Sequence, residues 1–407
     1  MFKNYRLLCP VGQGGFDIEN IDGTTIVFDC GSKPHINVKN CILHYKDFIE
    51  KNNGQTVIDY VFLSHFDRDH VSGLDALSEH FEIKNIIVPY IPRKYRVIYN
   101  YVTNFAVTSF YNLLMNSNKY NLTGVNILGS KYTDSQRRLY HSVKSTNNKW
   151  EWVYKSVFSC NHWEKLLEKL KEDGYVFNKS SNYSDSFLNE EDYAMNVKED
   201  DWERCIENIK ESWRNKKFEE NTMDTPKGFC IEDFDINSYK DEIELSKEQM
   251  RKINDAIGNI IGGDKSFAKN ENGLLMLSKR LVQNVRINIF YPGINCIFQN
   301  FHYPFFHNWS ACIYSGDMKF DVKTCPTILD FLKMSNEPLL LFQIPHHGSP
   351  HNSSSNYLQL LPSNLFFWHD KNFARLRKNT NVVNNIQPSC RLILIDTVFY
   401  FFCDIII

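Results

Sequence analysis

The chain has 407 residues, 43% hydrophobic and 14% aromatic, enough to bury a large core and to exclude bulk disorder. Its formal net charge of −2 provides no overall basic field, so any polyanion must meet a local patch. Eleven cysteines, an odd number with no C-x-x-C pair, favour buried or idle thiols in a reducing cytosol over a disulfide framework or a cysteine-based zinc site.

Met1–Arg6 lacks the apolar stretch of a secretory leader, and a cytoplasmic location is expected. Strands are predicted over Tyr5–Cys9, Thr24–Asp29 after the turn Asp22-Gly23, Val57–Leu63 and Asn85–Tyr90. Helices are predicted over His44–Lys51 and Val71–His80, and the alternation indicates an α/β fold of sheets flanked by helices. From 91 to 268 apolar residues recur at helical spacing, which predicts a mainly helical insertion between a first half, 1–90, and a second half, 269–407.

Three apolar stripes mark that insertion. Asn161 and Glu164 open one through Trp163, Leu166, Leu167 and Leu170; Trp202, Cys205, Ile206, Ile209 and Trp213 form another; Ser246 and Gln249 open a third through Met250, Ile253, Ile257 and Ile260. They read as packing surfaces, not cofactor sites. A strand returns near Gly273–Ser278, followed by a smaller aromatic-rich insertion at 279–309 and further strands at Ala311–Tyr314, Leu339–Ile344 and Asn364–Trp368. The apolar C-terminal run, 392–407, carries Asp396 and Asp404 and is too short for a confident membrane span, so it predicts one or two strands and no membrane association.

Chemistry concentrates at strand ends. In Ser64-His65-Phe66-Asp67-Arg68-Asp69-His70, two imidazoles and two carboxylates crowd directly after an apolar strand, an expensive arrangement unless a cation turns their repulsion into coordination. That donor set suits Zn²⁺, Mn²⁺ or Fe²⁺ better than Ca²⁺ or Mg²⁺. Alternate positions of an extended loop face one way, which assigns His65 and Asp67 to one metal and Asp69 and His70 to a second. Ser315-Gly316-Asp317 and Pro345-His346-His347-Gly348-Ser349 end two more strands with further ligands.

Together these motifs resemble the metallo-β-lactamase superfamily, and the variant with Asp67 in place of a second histidine resembles the hydrolase domain of ComEC-type competence proteins. Val11-Gly12-Gln13-Gly14-Gly15 is similar to that group's opening motif, and Thr24–Gly31 to its apolar strand ending in Asp-x-Gly. The resemblance covers 1–90 and 269–407 and implies an α/β fold, an αββα sandwich with the mainly helical segment inserted. It implies Asp317 as a bridging ligand, with His346 or His347 completing the set and the other histidine donating a proton. Asp29 is expected to accept a ligand histidine's second ring proton. Two divalent metals, zinc or manganese, would then polarise a water to hydroxide. The usual third-motif histidine is missing: Asn270, more suited to orienting water or substrate, or else His307-Asn308, falls there.

For substrate, Ser349, His351 and Asn352 provide donors for phosphate oxygens, and Lys371, Arg375, Arg377 and Lys378 follow the last strand of the motif region. The expectation is a phosphodiesterase acting on DNA, RNA or a nucleotide messenger, with Asp69, His346, His347 and Asp29 in the catalytic constellation. A hydrolase of a non-nucleotide ester, lactone or amide would use the same site. A partner-binding effector module, docking a protein through the insertion and its acidic tract Asp185–Asp201, is the alternative of a different class.

Overall fold

A computed structural model describes residues 3–89, 126–129, 140–157, 168, 172, 199–215, 273–290, 309–320, 324–349, 358, 360–370, 391–395 and 401–407. It opens with three antiparallel strands, β1 (Tyr5–Leu8), β2 (Gln13–Ile21) and β3 (Thr24–Lys33), the last two joined at Asp22-Gly23 with both residues at positive φ, as a tight hairpin requires. Helix α1 (His35–Lys51) buries Val38, Cys41, Ile42, Tyr45 and Ile49, a helical spacing that packs one face on β3. It starts nine positions before the expected His44, directly after Pro34.

Then come β4 (Val57–Ile58), β5 (Tyr60–Phe62), α2 (Arg68–Val71), α3 (Leu74–His80), β6 (Glu82–Ile83), β7 (Asn85–Val88), β8 (Asn126–Gly129), β9 (His141–Lys144), β10 (Trp150–Val157) and α4 (Glu199–Asn215). The second half supplies β11 (Gly273–Arg280), β12 (Arg286–Phe290), β13 (Cys312–Tyr314), α5 (Cys325–Ser335), β14 (Leu339–Gln343), a 3₁₀ turn at His346–Gly348, β15 (Ser363–His369), β16 (Arg391–Ile395) and β17 (Phe401–Ile406).

Among the described residues these strands make an eight-stranded sheet, β12-β17-β1-β2-β3-β5-β7-β8, and a seven-stranded sheet, β16-β15-β14-β13-β11-β10-β9. The expected boundaries therefore shift. Strands β8, β9 and β10 lie within 91–268 and β12 within 279–309, yet all four join the two main sheets. Of the predicted helical stripes, the one through Trp202 and Ile209 is helix α4; those opening at Asn161 and Ser246 lie outside the described residues.

Period-two alternation explains how the second sheet is covered on both faces. Leu274, Met276, Cys312, Tyr314, Leu365 and Phe367 meet Phe28 and Phe62 of the first sheet, while Leu275, Leu277, Ile313, Phe366 and Trp368 pack with Trp202, Ile206 and Ile209 of α4 and Ile328, Phe331 and Leu332 of α5. With α1 on the outer face of the first sheet, the layers run helix, sheet, sheet, helix. Each large apolar side chain fully buried this way contributes about 1.5–3 kcal/mol.

A charged pair on neighbouring strands β1 and β2 lies in the inter-sheet core and is hydrogen-bonded to the opposite sheet. Glu19, fully buried, accepts from Arg6 Nε (2.5 Å), Tyr314 Oη (2.8 Å), Trp152 Nε1 (2.5 Å) and Ser278 Oγ (2.6 Å). Arg6 also donates to Ser278 Oγ and to the Ser310 carbonyl. Every carboxylate oxygen is satisfied, which is what burial of charge demands, and Tyr314 is thereby anchored three residues before Asp317. Among the described residues no helix is long and apolar enough to cross a membrane, and the cysteines are free thiols.

Candidate metal centre

Parallel strands β3, β5, β13 and β14 end at one rim of the sandwich, and the loops leaving them carry the polar clusters. Close backbone approach brings those loops together. A Cβ on Gly31 would lie 2.6 Å from both Asp69 C and His70 N, and one on Gly316, at φ +53°, would lie 2.3 Å from Ser64 Cβ. Only glycine allows the metal-loop helix α2 to rest on β3 and the Asp317 turn to rest on Ser64.

The Asp317 turn is held from β14. Gln343 Oε1 accepts from the backbone N–H groups of Ser315 and Gly316, both at 2.8 Å, and the Gly316 carbonyl accepts from His346 N at 3.1 Å. His346 and His347 then occupy consecutive left-handed conformations, φ 49° and 54°. Such backbone costs about 1–2 kcal/mol per non-glycine residue and collects at functional sites.

Around Asp317 four imidazoles converge. His65 Nε2 and His346 Nε2 each lie 3.7 Å from its Oδ2, while His70 Nε2 at 3.3 Å and His347 Nε2 at 3.6 Å face its Oδ1. Asp69 Oδ2 lies 3.6 Å from His347 Nε2 and accepts from Gln13 Nε2 at 3.1 Å; its Oδ1 meets the half-exposed Lys33 Nζ at 3.2 Å.

The hydrogen bonds behind these rings fix their tautomers. His347 Nδ1 is 2.7 Å from the His369 carbonyl, which can only accept. His70 Nδ1 is 2.7 Å from Asp29 Oδ2. Ser64 Oγ spends its proton on Asp29 Oδ2 at 2.7 Å and so accepts from His65 Nδ1 at 2.9 Å. Each of these three rings carries its proton on Nδ1, leaving an Nε2 lone pair aimed at the Asp317 carboxylate. Those three Nε2 atoms are buried without a hydrogen-bond partner. Lone pairs gathered against a buried carboxylate repel unless a cation or additional protons lie between them.

Electrostatics agree with a site suited to a cation. Burial alone would push Asp317 up, yet His347, His70 and His346 hold it well below the usual carboxylate range. Asp69 is likewise lowered, against its burial, by His347 and His70. His70 and His347 are raised despite burial, chiefly by Asp317, with Asp29 aiding the first and Asp69 the second. His65, buried beside His70, is lowered. Without a metal, a proton shared by His70 or His347 with Asp317 would take the place of the cation.

Two donor groups have all their ligand atoms within 4.8 Å of one another: His65, His70 and Asp317, and Asp69, His70 and His347. This differs from the grouping expected from loop alternation. Asp67 belongs to neither, because it is the half-buried N-cap residue of α2 and its backbone carbonyl accepts from His70 N. Asp29 sits where expected, behind His70, and Ser349 follows the paired histidines at the end of their turn, its N–H bonded to the His346 carbonyl. Asn270, His307, Asn308, His351, Asn352, Lys371, Arg375, Arg377 and Lys378 lie outside the described residues. Sequence reasoning missed Gln343, whose signal was a lone amide closing the apolar run Leu339–Phe342, and Ser64, whose hydroxyl links Asp29 to His65.

The Metallo-beta-lactamase superfamily model matches residues 18–103, a span that starts within β2 and includes the Ser64–His70 loop. That segment is similar to the metallo-beta-lactamase superfamily. The chain's two sheets flanked by helices form an α/β sandwich consistent with the metallo-beta-lactamase fold. Solved structures it is similar to include the chemotaxis sensor ODP as a peroxy diiron species (12% identity, 39% of this chain, 52% of that one, TM-score 0.23). Others are the metallo-beta-lactamase fold protein YhfI from Bacillus subtilis (12%, 38% and 53%, 0.22) and a diphosphatase from the PhnP family (10%, 38% and 59%, 0.21). The chain spans about half the length of the structures it matches. No curated protein matches it.

Proposed function

We propose that this domain is a metal-dependent hydrolase of phosphodiester bonds, with nucleic acid or a nucleotide as substrate and two divalent cations, zinc or manganese, as cofactors. One observation carries the proposal: three buried imidazole nitrogens, Nε2 of His65, His70 and His347, face the two oxygens of Asp317 without a hydrogen-bond partner. An imidazole nitrogen serves one cation, whereas a carboxylate can bridge two. Of the buried donors, His65 stands on the Oδ2 side and His70, His347 and Asp69 stand on the Oδ1 side, and these would be shared between the two cations, with His346 outside the ligand set. When bound, such cations supply Lewis acidity toward a phosphoryl oxygen and acidify water.

The chain's own groups do the rest. Asp29, Ser64 and the His369 carbonyl hold the ligand rings in their metal-binding tautomer. His346, its side chain 20% exposed where the other three are nearly fully buried, faces solvent and can pass a proton to a leaving oxygen. Lys33 Nζ at Asp69 places a cation at the rim, suited to an anionic substrate group.

Cleavage of bis(p-nitrophenyl) phosphate, single-stranded DNA, duplex DNA and RNA by metal-loaded protein, beside an Asp317→Asn control, tests the proposal. Turnover of a phosphodiester that disappears in the control is expected. Hydrolysis of carboxylic esters or lactones alone would contradict it.

A further inference from the structure

Behind the metal-facing histidines lies a second buried polar pair. His369 Nε2 is 2.9 Å from Asp17 Oδ1, and both side chains are 1% exposed. Asp17 sits on β2 beside the bulge at Gly15/Asp17; His369 is the last residue of β15 in the opposite sheet. The hydrogen bond therefore ties one layer of the sandwich to the other.

Such a pair is costly. Two polar groups taken from water contribute less to stability than apolar residues of similar volume, often by about 1–4 kcal/mol. Here the cost is increased, because His369 Nδ1 and Asp17 Oδ2 are buried with no hydrogen-bond partner. Stability alone does not account for their presence, and the location suggests another role. The ladder between β14 and β15 closes at Gln343 and Phe367, so His369 extends beyond it and directs its carbonyl at His347 Nδ1, 2.7 Å away. The ring of the same residue is the group anchored to Asp17.

We propose that the Asp17–His369 pair is a positioning element for His347. By clamping the end of β15 to β2 it fixes the carbonyl that keeps the His347 proton on Nδ1, and so keeps the Nε2 lone pair toward Asp317 and Asp69. The left-handed backbone at His347 is a costly conformation that persists only where the surrounding structure holds it, which the clamp helps to do. The inference rests on the metal-centre proposal above but concerns residues outside the ligand set.

The test uses the full chain and metal alone: Zn²⁺ affinity by competition with a chelator, and the visible spectrum of the Co²⁺-substituted protein. Asp17→Leu and His369→Phe fill similar volume without the hydrogen bond, whereas Asp17→Asn keeps an acceptor for His369. Loss of an outer support of this kind typically weakens metal binding about 10–100-fold. The two apolar variants should lose at least about tenfold in Zn²⁺ affinity with an altered Co²⁺ spectrum, and Asp17→Asn should stay within about threefold of the parent. A merely structural role would move the melting temperature and leave the affinity of folded protein unchanged. Should a single variant fail to fold by stranding its partner, the double variant Asp17→Leu/His369→Phe removes both polar groups and is read by the same thresholds. Folded apolar variants that bind within about threefold of the parent overturn the pair's role. A parent protein that takes up no Zn²⁺ overturns the metal centre itself.

Discussion

Asp29→Asn isolates the tautomer argument from charge at the metals themselves. Asp29 stands at φ 58°, a left-handed conformation asparagine adopts readily, so the backbone should survive the change. Its Oδ1 accepts from Ser64 N at 2.7 Å, which an amide oxygen can still do. The new amide nitrogen must then face Ser64 Oγ and His70 Nδ1, where Oδ2 had accepted at 2.7 Å from each. An N–H opposing an Nδ1–H is relieved only if His70 moves its proton to Nε2, which removes the lone pair aimed at Asp317. Loss of such a partner costs about 10–100-fold in metal affinity, or roughly 1.4–2.8 kcal/mol. Chelator competition with Zn²⁺ near neutral pH measures it, and ¹⁵N shifts of the histidine rings report the tautomer. An affinity within about twofold of the parent, with His70 still protonated on Nδ1, would refute the reasoning.

Two further outcomes follow from the buried charges. Glu19→Gln strands the Arg6 guanidinium in the core and should cost about 3–5 kcal/mol in denaturant unfolding; a loss under about 1 kcal/mol would mean the four hydrogen bonds to Glu19 contribute little. For chelated protein, His70 and His347 have folded pKa values raised above the unfolded value of about 6.5, so their stabilisation is complete below that pH and lost as pH rises through the folded values. Asp317 and Asp69, lowered, contribute above about pH 4 and lose this as pH falls through their folded values. His65, lowered from about 6.5, likewise contributes above that pH and loses this as pH falls. Because His65 acts only below about pH 6.5, the raised pair governs the range above it: the melting temperature of chelated protein should fall as pH rises above about 6.5, while that of metal-loaded protein, whose ligand rings carry metal in place of those protons, should not. Parallel curves for the two forms would contradict the exchange of proton for metal.

The site motifs were legible because each follows a short apolar run, so the ends of β5, β13 and β14 could be read directly as Ser64–His70, Ser315–Asp317 and Pro345–Ser349. What joins them was not, since those contacts span the chain. Asp17 and His369 meet across 352 positions, and Trp152 reaches Glu19 across 133. Strand β10 was hidden inside an apparently helical segment because both its faces are covered and Glu151 is neutralised by Lys279 on neighbouring β11, which blurs the alternation. The helix expected over Val71–His80 became α2 and α3 because Gly73 lies tight against Val38 and Cys30, a contact no local pattern records.

Metal stoichiometry is the most direct test of the centre: elemental analysis of the 407-residue chain after Zn²⁺ or Mn²⁺ loading and gel filtration, beside Asp317→Asn. Tightly held divalent metal in the parent and its loss in the folded variant are predicted. A parent protein without metal, or a variant that retains it in full, would contradict the claim that the lone pairs of His65, His70 and His347 face Asp317 in order to hold cations.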